Sequence, residues 1–460
     1  MSQTSFATLP LKPELIATLD ALGYTQMTPI QALSLPIILA GQDVIGQGKT
    51  GSGKTAAFGL GVLSNLDVAR FRVQALILCP TRELADQVAS DIRTLARGIH
   101  NIKVLTLCGG SPMGPQIGSL EHGAHILVGT PGRVLDHLEK SRIDLTELNT
   151  FVLDEADRML EMGFQEALDA IVSHAPAIRQ TLLFSATFPP KIQAIADHIM
   201  QKPQLIQVES SDDVSQIEQH FFHIEDELAR LEAIEQLMYV HQPESAVIFC
   251  NTKRAVKEVA QALKEHRFSV VALHGDLEQR DRDQALLQFA NKSISILVAT
   301  DVAARGLDID QLDAVFNFEL SPDPQVHVHR IGRTGRAGNQ GQAFSFFSDS
   351  ERYRLAQIED ELPTPIEIEE LPALNSRPQA YQAQMVTLQI DGGKKQKIRP
   401  GDILGALTSH SDISAQEVGK INVLAMRAYV AVNQRVAKQA LNTLESGKIK
   451  GRQFRARLLK

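Results

Sequence analysis

The sequence predicts an α/β protein: two tandem parallel-sheet domains with crossover helices, followed by a small α+β domain. Three observations carry this. Short apolar, β-rich runs alternate with helical patterns at 75–80 (ALILCP), 125–130 (HILVGT), 151–155 (FVLDE) and 181–187 (TLLFSAT), the rhythm of strand and crossover helix. The rhythm pauses in the polar stretch 201–216 and restarts at 245–250 (SAVIFC), 269–275 (SVVALHG), 295–300 (SILVAT) and 314–320 (AVFNFEL). A second pause, rich in proline and glutamate, covers 361–379 and leaves a remainder the size of one small domain. The boundaries read from these pauses are 1–208, 209–362, a linker at 363–380, and 381–460.

Composition bounds the function. Hydrophobic residues make up 43% and charged residues 22%, enough for large cores. Cys79, Cys108 and Cys250 are far apart, without metal spacing or a disulfide framework, which fits a reducing cytosol. The N-terminus lacks a basic segment followed by an apolar core, and no apolar run approaches the roughly 20 residues of a membrane span. A soluble, cytoplasmic monomer with no membrane partner is expected. The net charge of −8 hides an asymmetry: residues 376–460 carry 15 Lys+Arg and 5 Asp+Glu, and the rest carries 31 and 49. A basic tail on an acidic body predicts a polyanionic partner for the tail.

The first chemical motif is Gly48-Lys49-Thr50-Gly51-Ser52-Gly53-Lys54-Thr55, placed between the strand DVIGQ and a helical pattern. It fits the phosphate loop Gly-x4-Gly-Lys-Thr, in which backbone amides and a helix N-terminus cradle the phosphates of ATP. Gly51, Ser52 and Gly53 would form the cradle, Lys54 would reach the outer phosphates, and Thr55 would ligate Mg²⁺. Next, Asp154-Glu155-Ala156-Asp157 ends an apolar strand, where α/β sheets bind ligands. Asp154 is assigned to Mg²⁺ through water, and Glu155 to orienting or deprotonating the attacking water. In the second domain, His329-Arg330-Ile331-Gly332-Arg333-Thr334-Gly335-Arg336 sets three arginines among glycines. Arg333 and Arg336 are candidates to clamp the transferring phosphate. Hydrolysis would then draw on both domains, which makes the enzyme a switch.

These motifs, in this order, resemble the DEAD-box RNA helicases of superfamily two over residues 1 to about 360. The resemblance implies two RecA-like domains and an RNA-stimulated ATPase. Phe6 and the segment Gly23–Gln31 resemble the adenine-recognising segment, with Thr28 and Gln31 as binding residues and Phe6 stacking on the base. A glutamine amide offers both a donor and an acceptor to the adenine edge. Pro80-Thr81-Arg82, Gly109-Gly110 and Thr130-Pro131-Gly132-Arg133 resemble RNA-backbone motifs of the first domain. Thr252, Gly275, Arg282, Thr300 and Asp301 fall in those of the second. Such hydroxyls, arginines and amides grip phosphates and sugars without reading sequence. Ser185-Ala186-Thr187 resembles the motif that couples hydrolysis to strand separation, and the resemblance gives Asp157 and His329 a part in it. Asp308 resembles the residue at the ATP ribose or attacking water. Two positions depart from the family: Gly48 stands where many members have alanine, and Asn317-Phe318-Glu319-Leu320 replaces the usual tyrosine–aspartate pattern.

Residues 381–460 read β-α-β-β-α-β, with strands expected at Gln384–Ile390, Gly419–Leu424, Ala428–Val432 and Gln453–Leu458 and helices at Pro400–Leu407 and Arg435–Leu444. This is the order of an RRM-type domain. Tyr429 is the aromatic that its third strand offers for base stacking. Basic residues cluster at Lys394, Lys395, Lys397 and Arg399, and again at Lys448, Lys450, Arg452 and Arg455. The two basic segments resemble the tail of one bacterial branch of the family. That likeness implies docking on a hairpin near the peptidyl-transferase centre of the large ribosomal RNA, and a role in assembling the large subunit. The alternatives are an ATP-gated RNA clamp, a general RNA chaperone without rRNA preference, or a processive DNA translocase, which the motif wording disfavours.

Overall fold

The computed structural model describes residues 4–48, 51–208, 217–304, 312–335, 341–362, 364–373, 382–409 and 413–459. They fall into two compact units, 4–208 and 217–459, each taken by itself below.

The first unit is built on strands β1 (Val44–Gln47), β2 (Ala75–Leu78), β3 (Val104–Leu107), β4 (Ile126–Gly129), β5 (Thr150–Asp154), β6 (Gln180–Ser185) and β7 (Gln204–Gln207). Among the described residues they form one sheet in the order β3-β4-β2-β5-β6-β1-β7, with every pair parallel. β2, β4, β5 and β6 are buried along their whole length. Helices cover both faces, which explains why these strands read as unbroken apolar runs. Gly46 is obligatory in β1, because a Cβ there would sit 2.4 Å from the Phe184 ring.

The second unit begins with β8 (Ile217–His223), β9 (Ala246–Phe249), β10 (Val270–Leu273), β11 (Ile296–Ala299), β12 (Ala314–Asn317), β13 (Gly341–Phe347) and β14 (Ile368–Glu369). Their order, β10-β11-β9-β12-β13-β8-β14, repeats that of the first sheet strand for strand, again all parallel. The edge strand β14 lies within the stretch that the sequence marks as a linker. It is tied down by His220 Nδ1, 2.9 Å from Glu369 Oε1, by Leu371 packing on the core, and by a bond from the Gln236 amide to the Pro372 carbonyl.

The same unit carries the small domain: β15 (Met385–Ile390), β16 (Val418–Val423), β17 (Ala428–Asn433) and β18 (Ala456–Leu458), with helices Pro400–Thr408 and Ala437–Ser446. The sheet is antiparallel in the order β16-β17-β15-β18. Leu388, Ile390, Val430 and Val432 point into a core shared with Ile403, Leu407, Ala440 and Leu444 of the helices. On the opposite sheet face, Thr387 and Ala431 are 1% exposed and Gln389 is 2% exposed. Part of the cover is the preceding sheet domain: Asn291 Nδ2 donates to Thr387 Oγ1 at 3.2 Å, and the Ser293 hydroxyl bonds the same oxygen. No described helix is long and apolar enough to cross a membrane.

Candidate functional site

In the first unit, β5, β6 and β1 are neighbours, so their carboxyl ends bring three loops together. The loop after β1 leads into the helix Lys54–Asn65 through Gly51 at φ +84° and Gly53 at φ +91°. A Cβ on Gly53 would lie 2.4 Å from Gln31 Nε2. Gln31 Nε2 donates to the Gly53 carbonyl at 3.0 Å, Thr28 Oγ1 donates to the Ser52 carbonyl at 2.7 Å, and the Thr28 amide donates to Gln31 Oε1 at 2.9 Å. The segment expected to read adenine thus braces the phosphate loop. Lys54 is 6% exposed and donates to the Gly48 carbonyl at 2.7 Å. Ser52 Oγ is buried without a partner. Phe6, expected to stack on the base, is 4% exposed and packs in the core cluster on one face of the first sheet. Lys49 and Thr50 of the loop lie outside the described residues.

Asp154 is 3% exposed at the end of β5, and burial pushes its carboxyl up to about 7 against the pull of Lys54. A buried carboxyl beside a lysine and a hydroxyl-bearing phosphate loop is a donor set that suits a divalent cation on phosphate oxygens. Glu155 follows in the left-handed region at φ +52°. Asp157 knits the third loop in. Its Oδ2 accepts from the Thr187 amide and hydroxyl at 3.0 Å each, and its own amide donates to Ser185 Oγ at 3.3 Å. Burial pushes the Asp157 carboxyl up, but the Thr187 amide, Arg158 and Ser185 pull it the other way, and it ends below its ordinary value.

The other half of the first sheet, β3-β4-β2, brings together the residues expected on RNA. Thr81 caps the helix Arg82–Leu95, its Oγ1 accepting from the Leu84 amide at 3.3 Å. Arg82 donates to Ser111 Oγ at 3.1 Å, and its Nε and Nη1 are buried without partners. Its guanidinium lies against Gly110, where a Cβ would come within 2.3 Å. Arg133 reaches the Ser111 carbonyl at 3.1 Å. Thr130 stands at the N-cap of the helix beginning at Pro131 without a cap bond, its Oγ1 accepting from the Gly109 amide at 3.5 Å, and Gly132 has open space where a side chain would stand. Pro80 completes the loop after β2.

The second unit repeats the pattern at β10-β11-β9. Thr252 Oγ1 caps the helix Lys253–Glu265, accepting from the Ala255 amide at 3.1 Å. Gly275 lies beside Lys253, Arg282 donates to the Ala303 carbonyl at 2.7 Å, and Thr300 Oγ1 accepts from the Ala303 amide at 3.4 Å. Behind these loops lies a residue to which sequence reasoning gave no role. Arg330, 2% exposed, donates to both Asp301 oxygens at 2.7 Å, to Asn251 Oδ1 at 2.8 Å and to the Glu319 carbonyl at 2.9 Å. The carboxylate of Asp301 is therefore held by an arginine. The segment that departs from the family supplies this hub: Glu319 Oε2 accepts from the Asn251 amide at 2.8 Å, and the Leu320 carbonyl accepts from Asn251 Nδ2 at 2.9 Å. His329 and Arg333 lie half-buried nearby in sequence. Arg336 and Asp308 lie outside the described residues.

In the small domain, Lys394 and Lys395 form a short turn after β15, and Lys397 follows at φ +60°. Lys450 Nζ donates to the Lys397 carbonyl at 3.0 Å, so the two basic segments meet. Arg399 and Lys450 both flank the start of the helix Pro400–Thr408, where Lys450 Nζ is 3.7 Å from Asp402. Lys448 lines the groove between the two helices with Gly401 and Gly405. Arg452 and Arg455 are exposed on the chain leading into β18. Tyr429 is half-buried on the covered sheet face, opposite Gln389.

Comparison with known proteins matches this arrangement. Residues 28–195 match the DEAD/DEAH box helicase family, 229–338 the helicase conserved C-terminal domain, and 387–458 the DbpA RNA binding domain. The chain is 54% identical over 458 residues to the ATP-dependent RNA helicase DbpA of Escherichia coli K12, covering 99% of this chain and 100% of that one. It is 44% identical over 357 residues to the DEAD-box ATP-dependent RNA helicase CshA of Geobacillus kaustophilus, covering 77% and 76%. Among solved structures, S. cerevisiae Dbp5 bound to RNA and ADP BeF3 superposes with a TM-score of 0.72 at 31% identity, over 79% of this chain and 95% of that one.

Proposed function

Since this chain belongs to the DEAD-box ATP-dependent RNA helicases and carries a DbpA-type RNA-binding domain, we propose that it remodels short duplexes of the large ribosomal RNA while its C-terminal domain anchors it to a nearby rRNA hairpin during large-subunit assembly. The observation that carries the reading is the split in each sheet: in the first unit one half of the carboxyl edge presents the phosphate loop with Asp154 and Glu155, and the other half presents Thr81, Arg82, Gly110 and Arg133. The Asp157–Ser185–Thr187 bonds span β5 and β6 behind the ATP loops, which makes them the natural route between hydrolysis and the RNA loops.

In the proposed mechanism the amides of Gly51 to Thr55 cradle the phosphates and Lys54 leaves the Gly48 carbonyl for the outer phosphates. Thr55 and, through water, Asp154 would hold Mg²⁺, which would neutralise phosphate charge when bound. Glu155 positions the attacking water and accepts its proton, and Arg333 and Arg336 stabilise the developing charge. The helix N-termini at Thr81, Thr130 and Thr252 hold RNA phosphates without reading bases. The basic segments at 394–399 and 448–455 supply the anchor.

The test is ATPase rate against RNA type, with the full chain and a chain ending at Arg377, at fixed salt. The proposal expects only the full chain to respond strongly to a large-subunit rRNA hairpin fragment over unrelated RNA. Equal response of both chains to any RNA would leave a helicase without the rRNA assignment.

A further inference from the structure

The C-terminal domain has one end turned away from the helicase sheet, and that end has a composition the basic-cluster reading does not explain. Strand β15 starts beside Asn291 and Ser293, and from Thr387 to Ile390 it runs roughly 10 Å away from them. At its far end the basic turn Lys394–Gln396 is stapled to the tip of the β16–β17 hairpin. The Lys394 amide donates to the Leu424 carbonyl at 2.8 Å, the Lys395 amide to the Ala425 carbonyl at 2.9 Å, and the Leu424 amide to the Arg427 carbonyl at 2.8 Å. The approach is close enough that a Cβ on Gly393 would lie 2.3 Å from the Leu424 carbonyl. This rigid tip presents Leu424 at 51% and Met426 at 53% exposure. Two large apolar side chains side by side on a turn held by backbone hydrogen bonds make a small apolar patch rimmed by charge, the kind of surface that a partner covers. Their neighbours are Lys394, Lys395 and Arg427, so the cover carries negative charge beside apolar faces. Unpaired RNA bases on their phosphate backbone have that combination. The usual stacking face of this fold is closed by comparison: Thr387, Gln389 and Ala431 are buried there.

We propose that the hairpin tip Leu424–Arg427, stapled to Lys394 and Lys395, is the surface on which this protein takes the unpaired loop bases of a structured RNA, Leu424 and Met426 lying against base faces while the lysines and Arg427 hold the flanking phosphates. The proposal rests on the hairpin-anchoring reading and assigns it a base-contacting element. Met426 is flexible and polarisable, which suits irregular base surfaces.

The experiment measures affinity of the full chain for a labelled large-subunit rRNA stem–loop, and for the same stem closed by an abasic loop, across a salt series. The double variant Leu424→Ser, Met426→Ser is expected to weaken stem–loop binding about tenfold or more, with little change for the abasic stem and an unchanged salt slope. Lys394→Ala, Lys395→Ala should instead lower the salt slope by roughly two. Met426→Leu should bind as wild type. A photocrosslinking amino acid at 426 should label loop nucleotides. Wild-type affinity in the serine variant, equal losses on both RNAs, or crosslinks confined to the stem or to protein would overturn the proposal. If the wild type itself does not prefer the stem–loop, the hairpin anchor fails with it. If the preference stands and the serine variant keeps it, only the hairpin tip is wrong.

Discussion

Glu155 holds a left-handed backbone at φ +52°, a conformation that side chains other than glycine, asparagine and aspartate seldom adopt. Such strain persists where the surroundings over-determine it, and it aims the carboxylate from the end of a buried strand. Replacing it with glutamine keeps the shape and removes the carboxylate proposed to act as the base. Glu155→Gln should cut RNA-stimulated hydrolysis by roughly 10² to 10⁴ fold while ATP still binds, giving a long-lived ATP–RNA complex; single-turnover hydrolysis and RNA dissociation rates check this. Arg330 is a second residue with a sharp expectation. It is buried and pairs with Asp301, whose side chain is 20% exposed, so Arg330→Met strands a partly buried carboxylate. Loss of one partner of such a pair costs about 3–5 kcal/mol, readable by denaturant unfolding. Arg330→Lys should recover only part, because an ammonium lacks the planar fork that meets Asp301, Asn251 and the Glu319 carbonyl together.

At the scale of elements, the repeated device is a strand running into a threonine-capped helix at Thr81 and Thr252. The phosphate loop uses glycine for the same strand-to-helix turn. A side chain at Gly53 meets both an unfavourable φ and Gln31 Nε2, so Gly53→Ala should weaken nucleotide binding at least tenfold in equilibrium titration. The helix Pro324–Ile331 carries a buried histidine, His327, whose ring nitrogens have no partners. Burial pushes its pKa down from 6.5 to about 3, and Arg330 adds to the shift. The folded chain keeps this ring neutral, whereas the unfolded chain protonates it below 6.5. Its contribution to stability is therefore complete above that pH and declines as pH falls toward 3. Between pH 7.5 and 5.5, wild type should lose about 1.4 kcal/mol more than His327→Phe. Equal losses in parallel denaturant titrations would show that His327 is not kept neutral.

These elements also show what can be read from residue order. The strand expected at Gln384–Ile390 runs Met385–Ile390, and the helix expected at Pro400–Leu407 runs Pro400–Thr408, because alternation and a proline start are local signals. The hub at Arg330 was not legible: it joins Asn251, Asp301 and Glu319, which are far apart in sequence. The same holds for the covered face of β15, since nothing near Thr387 announces Asn291 and Ser293. The burial of Phe6 was not legible either, because it depends on a core cluster that draws on residues as distant as Phe184.

Across the molecule, two sheets of identical strand order each divide their carboxyl edge, with the residues suited to RNA on one half. Residues 376–460, which hold the third, basic domain, carry a net +10, against −18 for residues 1–375. Charge alone gives salt-sensitive, sequence-blind attraction, so an acidic body with one basic end favours engagement of RNA through that end first. On the function proposed above, this anchor directs ATP-driven remodelling. The most direct measurement is strand displacement of a short duplex beside the large-subunit rRNA hairpin, compared with the same duplex alone, with and without ATP. An anchored helicase should show ATP-dependent release that is much faster with the hairpin attached. ATP-dependent hairpin binding without release, or equal release from both duplexes, would contradict it.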